Sequence, residues 1–505
     1  MRYATIQNAT RTMLCAILLG FAGAASADEV SESKSVAEEL LEILRAAGTI
    51  NDTQYRDLSE RVRAEETQRI EAAVAAATSA TTAGTNAVID EAIESATIAA
   101  VSAAAGSEPG PDDWEFKWSN GFKLERNDGA SKLKFGGRLQ NDWAMVDLNE
   151  RLENAIGGEG HGTEFRRARI FFEGEFYERL IFKTEYDFAN TGDGEVALND
   201  AYIGLKDLGP VGTVRVGHMK EPFSLENMTS SKYGVFMERS LPNAFSPGRN
   251  TGFAAHNTAA DERILWHVGA FMDSNDSGFG FEDDGMWNAT ARLVGVPLYE
   301  DGGAEVVHLG FGYSHQFRAG SDYMLRYRQR PESHLAPYLA DTRAIIPTND
   351  IDRINPELAV VWGPASFQAE YMRAFVQGDD GTRNSTFWGA YAQASYFLTG
   401  EHLIYNLGDG AFGRVKPNAN FNPAQGEWGA FELAARYSYL DLNDEFVRGG
   451  KMWDITAGLN WYLYSNARIS LNYVHSELDD RVVTTEPDDV DGNADIVEAR
   501  FQIDF

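Results

Sequence analysis

The sequence predicts an all-β transmembrane barrel, antiparallel and of about 16 strands, preceded by an N-terminal helical, coiled-coil-like segment. Three observations carry this expectation. From Trp114 onward, short runs alternate apolar and polar side chains. The connections between those runs alternate between long and short, as outer loops and inner turns of a membrane barrel do. The chain also ends inside such a run: in "EARFQIDF", residues 498–505, Phe501, Ile503 and Phe505 share one face, and Gln502 and Asp504 share the other. A strand that stops there leaves an unpaired edge unless it closes a barrel.

The first 27 residues read as a signal peptide. Arg2 and Arg11 precede the apolar run "MLCAILLGFAGAA", and "ASA" at 25–27 offers a small-residue cleavage site before Asp28. The run is too short for a membrane span. The only cysteine, Cys15, lies within it, so no disulfide framework is expected after export. The formal net charge of −32 argues against nucleic acid as a partner.

Residues 28–105 read as a periplasmic helical segment. Leu40, Leu41 and Leu44 form a stripe, Gly48 stops that helix, and Asn51 or Asp52 caps the next. An Ala-rich stretch follows, with Ile70, Val74 and Ala77, then Ile89, Ile93 and Ala96, at helical spacing. Such a narrow seam buries little surface alone, so either a self-associating, trimeric coil or a flexible tether fits it. "GSEPGPDD", residues 106–113, is a linker by its Pro, Gly and acid content. The barrel is expected over 114–505.

Within the barrel, "FELAARYSYL" (431–440) sets Phe431, Leu433, Ala435, Tyr437 and Tyr439 against Glu432, Arg436 and Ser438. "ITAGLNWYL" (455–463) and "WGAYAQASYFL" (388–398) repeat the pattern. Aromatic residues near strand ends, with small polar residues opposite, fit a lipid-facing wall around a wet lumen. Long loops are expected near 147–163, 190–197, 220–250, 274–285, 318–356, 375–385, 441–449 and 479–494. Short turns are expected near 177–179, 207–212, 259–263, 296–304, 363–364 and 464–467. The connection 399–426 lies on the short-turn side but is long. The segment 118–125 is expected to be a floor element or half a hairpin, and Phe505 to lie free at the periplasmic rim.

"FRRARIFFEGEFYERLIFKTEYDFA" (165–189) and the stretch from "LNDAYIGLKDLGPVGTVRVGHMKEPFSLENM" to "SPGRNTGF" (198–253) resemble the phosphate-selective porin O and P family. "RQRPESHLAPYLADT" (328–342) and "SYFLTGE" (395–401) add to the resemblance. It implies a sixteen-stranded outer-membrane barrel, usually a trimer, with an anion-selective constriction.

Anion selectivity needs fixed positive charge at a narrow place. The loop 220–250 is the natural one to fold inward, and it carries Lys220, Lys232, Arg239 and Arg249; the longer loop 318–356 carries Arg328 among others. Strand phase turns Arg167, Arg169, Lys183 and Arg215 toward the lumen. Arg166 belongs to the family's "RRAR" motif, but strict alternation turns it to lipid unless a bulge intervenes. Arginines on a lumen wall also pair with carboxylates such as Glu173, Glu175, Glu185 and Asp187, bracing the wall. The acidic stretches 273–285 and 477–495 lack calcium-ligand spacing and read as solvated outer loops facing lipopolysaccharide. No metal, cofactor or catalytic constellation is legible, so an enzyme is not expected. The expected function is passive diffusion of anions, phosphate or related oxyanions, through the outer membrane. The alternative is an envelope tether that contacts the cell wall through residues 28–105, with the barrel as anchor.

Overall fold

The computed structural model describes residues 55–56, 114–118, 121–189, 196–280, 287–317, 325–343, 348–378, 384–483 and 489–505. The chain divides into two units, Met1–Glu108 and Pro109–Phe505. The expected leader, coil and linker lie outside the described residues, apart from Tyr55 and Arg56, which are helical. All that follows concerns the second unit.

That unit opens with a hairpin, β1 (Trp114–Trp118) and β2 (Phe122–Arg126). Sixteen long strands follow among the described residues. They are β3 (Lys132–Leu148), β4 (Gly160–Phe176), β5 (Leu180–Asp187), β6 (Ala197–Leu205), β7 (Thr213–Lys220), β8 (Arg249–Ala259), β9 (Ile264–Met272) and β10 (Trp287–Glu300). Then come β11 (Glu305–Gln316), β12 (Thr348–Trp362), β13 (Ala365–Gly378), β14 (Ser385–Phe397), β15 (Ala430–Asn443), β16 (Arg448–Tyr464), β17 (Ala467–Arg481) and β18 (Val490–Asp504). Each pairs antiparallel with the next, and β18 pairs with β3 from Ala494↔Leu148 to Asp504↔Arg138, closing the cylinder.

The burial pattern is inverted relative to a water-soluble protein. On β15, Leu433 and Tyr437 are exposed while Glu432, Arg436 and Ser438 are buried; on β18, Val497, Phe501 and Ile503 are exposed while Glu498, Arg500 and Gln502 are buried. Charged residues are seldom buried in water-soluble proteins. Here they line the interior, and the apolar members of each alternating run face lipid.

Several expectations change in detail. Of the two expectations for 118–125 the structure shows the half-hairpin and not the floor element: β2 is one arm of the hairpin with β1, pairs with the foot of β3, Phe122↔Phe135 to Glu125↔Lys132, and extends the wall. Phe505 is not free. Its N–H donates to the Gly137 carbonyl at 3.0 Å, and its own carbonyl accepts from the Gly137 N–H at 2.8 Å. The turn near 296–304 shrinks because β10 runs on to Glu300 through a register shift between Gly295 and Leu298. Pro297, which lacks a ladder donor, sits in that irregularity. The outer loop near 479–494 also shortens, since β17 reaches Arg481 and β18 starts at Val490.

Three connections fill one side of the lumen. The loop 221–248 after β7 buries Phe223, Leu225, Leu241 and Phe245 almost completely. The described part of the loop after β11, 325–343, adds Leu325, Tyr327, Leu339 and Ala340 to a shared apolar cluster that also holds Phe223, Leu241 and Phe245. The long turn 398–429 enters from the opposite end, and its Leu403, Tyr405, Ala411, Phe412 and Val415 pack with Leu225, Val235 and Phe236.

Candidate functional site

Loop 221–248 holds its course by capping and charge. A one-turn helix, α1 (Leu225–Met228), has Ser224 as its cap, with the Ser224 hydroxyl accepting from Asn227 N–H at 3.1 Å. The free N–H groups of Leu225 and Glu226 donate to the Glu370 carboxylate at 3.1 and 2.8 Å. An anion at the exposed donors of a helix start is the favoured arrangement. Farther along, Glu238 accepts from Arg166 at 2.9 and 3.1 Å and from Arg500 at 2.7 Å. Burial would raise the Glu238 pKa, but Arg166, Arg167 and Arg500 together hold it well below the usual carboxylate range. Arg500 also grips Asp142 with two bonds of 2.7 and 2.6 Å. Arg436 joins both inward loops, pairing with Glu226 at 3.2 Å and with Glu332.

What the loops leave open is a cavity of about 520 Å³, walled by β3–β9 on one side and by residues 228–239 and 406–412 on the other. Its charge is one-sided. Ten lining side chains are Lys or Arg, whereas four are acidic: Glu173, Glu185, Asp200 and Asp409. A second cavity of about 350 Å³ lies toward the loop after β9, lined by Asp187, Asp273, Asp276 and His218 among others. Arg169 and Arg249 line both cavities and so stand at their junction.

The expected residues fall into three groups. Arg169, Lys183 and Arg249 are on the cavity wall but are braced. Arg169 pairs with Asp187 at 2.6 Å and Glu185 at 3.0 Å, and Lys183 and Arg249 share Asp200, each at 2.8 Å. Arg167 donates to Gln140 at 2.9 Å and lies 3.9 Å from Glu238.

Arg215, Lys220 and Arg239 line the same cavity and, among the described residues, form no ion pair. Arg215 lies over the Tyr202 ring at 5.1 Å, with a buried Nε that lacks a partner. Lys220 donates to the Asn227 carbonyl, and Arg239 donates to the same oxygen at 3.1 Å and to the Glu226 carbonyl at 3.3 Å. Burial pulls the Arg239 pKa down, yet a guanidinium stays charged in a protein.

Two expected residues lie elsewhere. Arg166 is the residue skipped in the pairing of β3 with β4, where the register passes from Gln140↔Arg167 to Asn141↔Phe165. That bulge turns its side chain inward to Glu238, away from the open cavity. Arg328 is exposed and stacks on Tyr338 at 4.1 Å, also off the cavity. Sequence reasoning passed over Arg138, a lining residue that pairs with Glu185 at 3.1 Å. Alternation in "GRLQNDW" carries the signal: Arg138, Gln140 and Asp142 are buried, whereas Leu139 and Trp143 are exposed. No group of three or more His, Cys, Asp or Glu suited to a metal ion occurs among the described residues.

The sequence pattern of the family described as phosphate-selective porin O and P matches residues 133–505, nearly the whole barrel. The chain belongs to that family. As a member of the porin O and P family, it is an outer-membrane porin rather than an enzyme. Among its relatives is an uncharacterized protein of Caulobacter vibrioides, 30% identical over 403 residues and covering 77% of each chain. Porin O of Pseudomonas aeruginosa is 27% identical over 409 residues, covering 74% of this chain and 90% of that one. An anion-selective porin from Comamonas acidovorans superposes with a TM-score of 0.45 at 13% identity, over 74% of this chain and 100% of the other.

Proposed function

We propose that this porin passes anions, phosphate or related oxyanions, by passive diffusion through the cavity behind loop 221–248. One observation carries the reading: Lys220 and Arg239 converge on the Asn227 carbonyl beside open space, and neither has a carboxylate partner. Two basic side chains held side by side, with no carboxylate in ion-pair contact among the described residues, favour an anion from solution. At about 4 Å and an effective dielectric near 20, each such attraction is on the order of 4 kcal/mol. Arg169 and Arg249, neutralised by Asp187, Glu185 and Asp200, shape the entrance. The many Lys and Arg donors lining the cavity suit an oxyanion that accepts several hydrogen bonds. The test is the conductance of the pure protein in planar bilayers as phosphate is added at fixed chloride. Saturable interference by phosphate supports the reading, and simple additivity of the two ions refutes it.

Assembly into a homotrimer belongs to the same proposal. Strands β5 and β7 have 8 residues each, against 17 in β3 and β16. Eight residues rise about 26 Å along the strand, and a tilt of about 40° reduces this to about 20 Å, less than the ~25 Å apolar band. A wall that short is better covered by protein than by lipid. Ile203, Val216 and Phe253 are exposed on its outer side. Cross-linking between cysteines placed at Ile203 and Phe253 in vesicles tests it.

A further inference from the structure

The seam between the first and last barrel strands is incomplete at the inner rim. β18 runs out at Asp504↔Arg138, with Phe505 bonded to Gly137, so residues 132–135 of β3, paired with β4 on one edge, receive no partner from β18 on the other. Unpaired backbone groups at the membrane boundary are costly. The hairpin supplies the missing partner, because β2 pairs with those four residues.

The hairpin's two faces differ sharply. On one, Trp114, Phe116, Trp118, Phe122 and Leu124 are all exposed, Trp118 by 58%. On the other, Glu115, Lys117, Lys123 and Glu125 pair among themselves, with Lys117–Glu115 at 2.8 Å and Lys123–Glu125 at 3.0 Å. The aromatic face is continuous with the lipid-facing wall. Ring centroids step from Trp118 to Phe122 at 4.9 Å, from Phe122 to Phe135 at 6.2 Å, and from Phe135 to Phe172 at 4.8 Å. The Phe505 ring joins at 6.5 Å from Phe135. Leu139 and Trp143 continue the same face up β3, exposed.

We propose that the β1–β2 hairpin seats this aromatic face in the inner, phospholipid leaflet of the outer membrane. It thereby carries the barrel's aromatic girdle across the seam and latches the first strand to the last. Tryptophan and phenylalanine at the level of lipid headgroups are what such a girdle requires. The paired charges on the other face remain in water.

The test uses the full chain with Cys15→Ser and one new cysteine at a time, labelled with an environment-sensitive fluorophore. The positions are Phe116→Cys, Lys117→Cys and Trp118→Cys, with Lys123→Cys and Leu124→Cys as a second pair on β2. Trp143→Cys, on the lipid face of β3, is the reference. Vesicles of phosphatidylcholine and phosphatidylglycerol carry a nitroxide quencher near the headgroup or deep in the chain. Labels at 116, 118 and 124 should be quenched several-fold more than those at 117 and 123, and the shallow quencher should be the more effective. Equal quenching on both faces would overturn the proposal. So would protection of 116 and 118 from lipid quencher that disappears on dilution of protein in lipid, which would mean that a second copy covers the face. Variants are scored only if they keep the parent conductance; if none of the β1 labels does, the β2 pair alone decides.

Discussion

Lys220 and Arg239 donate to one and the same oxygen, the carbonyl of Asn227. They come from different elements, the end of β7 and the inward loop, and the fold of residues 221–239 brings them together. Neither head group is in an ion pair among the described residues, although Glu226 and Glu238 act on Arg239 from farther off. Replacing either with Gln should weaken phosphate interference with chloride conductance by at least about tenfold, since even a third of a ~4 kcal/mol attraction, about 1.4 kcal/mol, corresponds to a factor of ten. Replacing both should abolish saturation. Concentration series on the purified variants check this.

A second expectation concerns pH. Burial pulls the Lys232 ammonium down to about 8, against the partial support of Asp504, and Arg138, Arg414 and Lys134 lower it further. Its charge is present below that value and lost above it. Between pH 7 and pH 9 the protonated fraction falls from about nine-tenths to about one-tenth, while ordinary lysines near 10.4 stay charged. Anion selectivity should therefore decline across that interval. The decline should be smaller in Lys232→Met than in the parent, recorded as reversal potential against pH.

Glu238 is where the inward loop is tied to the wall. Glu238→Gln leaves Arg166 and Arg500 without full compensation, a loss of about 3–5 kcal/mol for a buried pair broken on one side. The loop should detach more often than the barrel unfolds. Single-channel records should show a larger, noisier conductance, with little change in the temperature at which the barrel loses its compact electrophoretic form.

The seam offers a test of closure. A Cβ on Gly136 would meet the Phe505 carbonyl oxygen at 2.3 Å and the Phe171 ring at 2.7 Å. Gly136→Ala should push the last residue off the first strand and lower that unfolding temperature, overpacking costing about 1–3 kcal/mol. Gly295→Ala, where nothing lies within 4 Å of the added atom and the backbone is not left-handed, controls for the change of residue.

Much of this was legible in the chain because a barrel wall is a local code. Alternation in "RRARIFFEGEF" and "LIFKTEYDF" fixes which face Arg167, Arg169, Lys183 and Glu185 occupy, and the structure places all four on the cavity wall. Pairing across the closed sheet is not local. Arg500 meets Asp142 at a separation of 358 residues and Glu238 at 262. Nothing in "EARFQIDF" names either partner. Nor does alternation tell a braced arginine from an unbraced one. Arg169 and Arg215 have the same phase, but only Arg169 has carboxylates at the same height on the neighbouring strand.

The most direct measurement is the reversal potential across a salt gradient in planar bilayers, for the parent chain and two variants. One variant carries Arg215→Gln, Lys220→Gln and Arg239→Gln; the other carries Asp273→Asn and Asp276→Asn in the outer cavity. The parent should be anion-selective, and the triple variant should move strongly toward zero or beyond. The aspartate variant should move less, since solvent screens exposed charges over about 8–10 Å. A cation-selective parent, or a larger shift from the aspartate pair than from the three cations, would contradict the placement of the filter in the inner cavity.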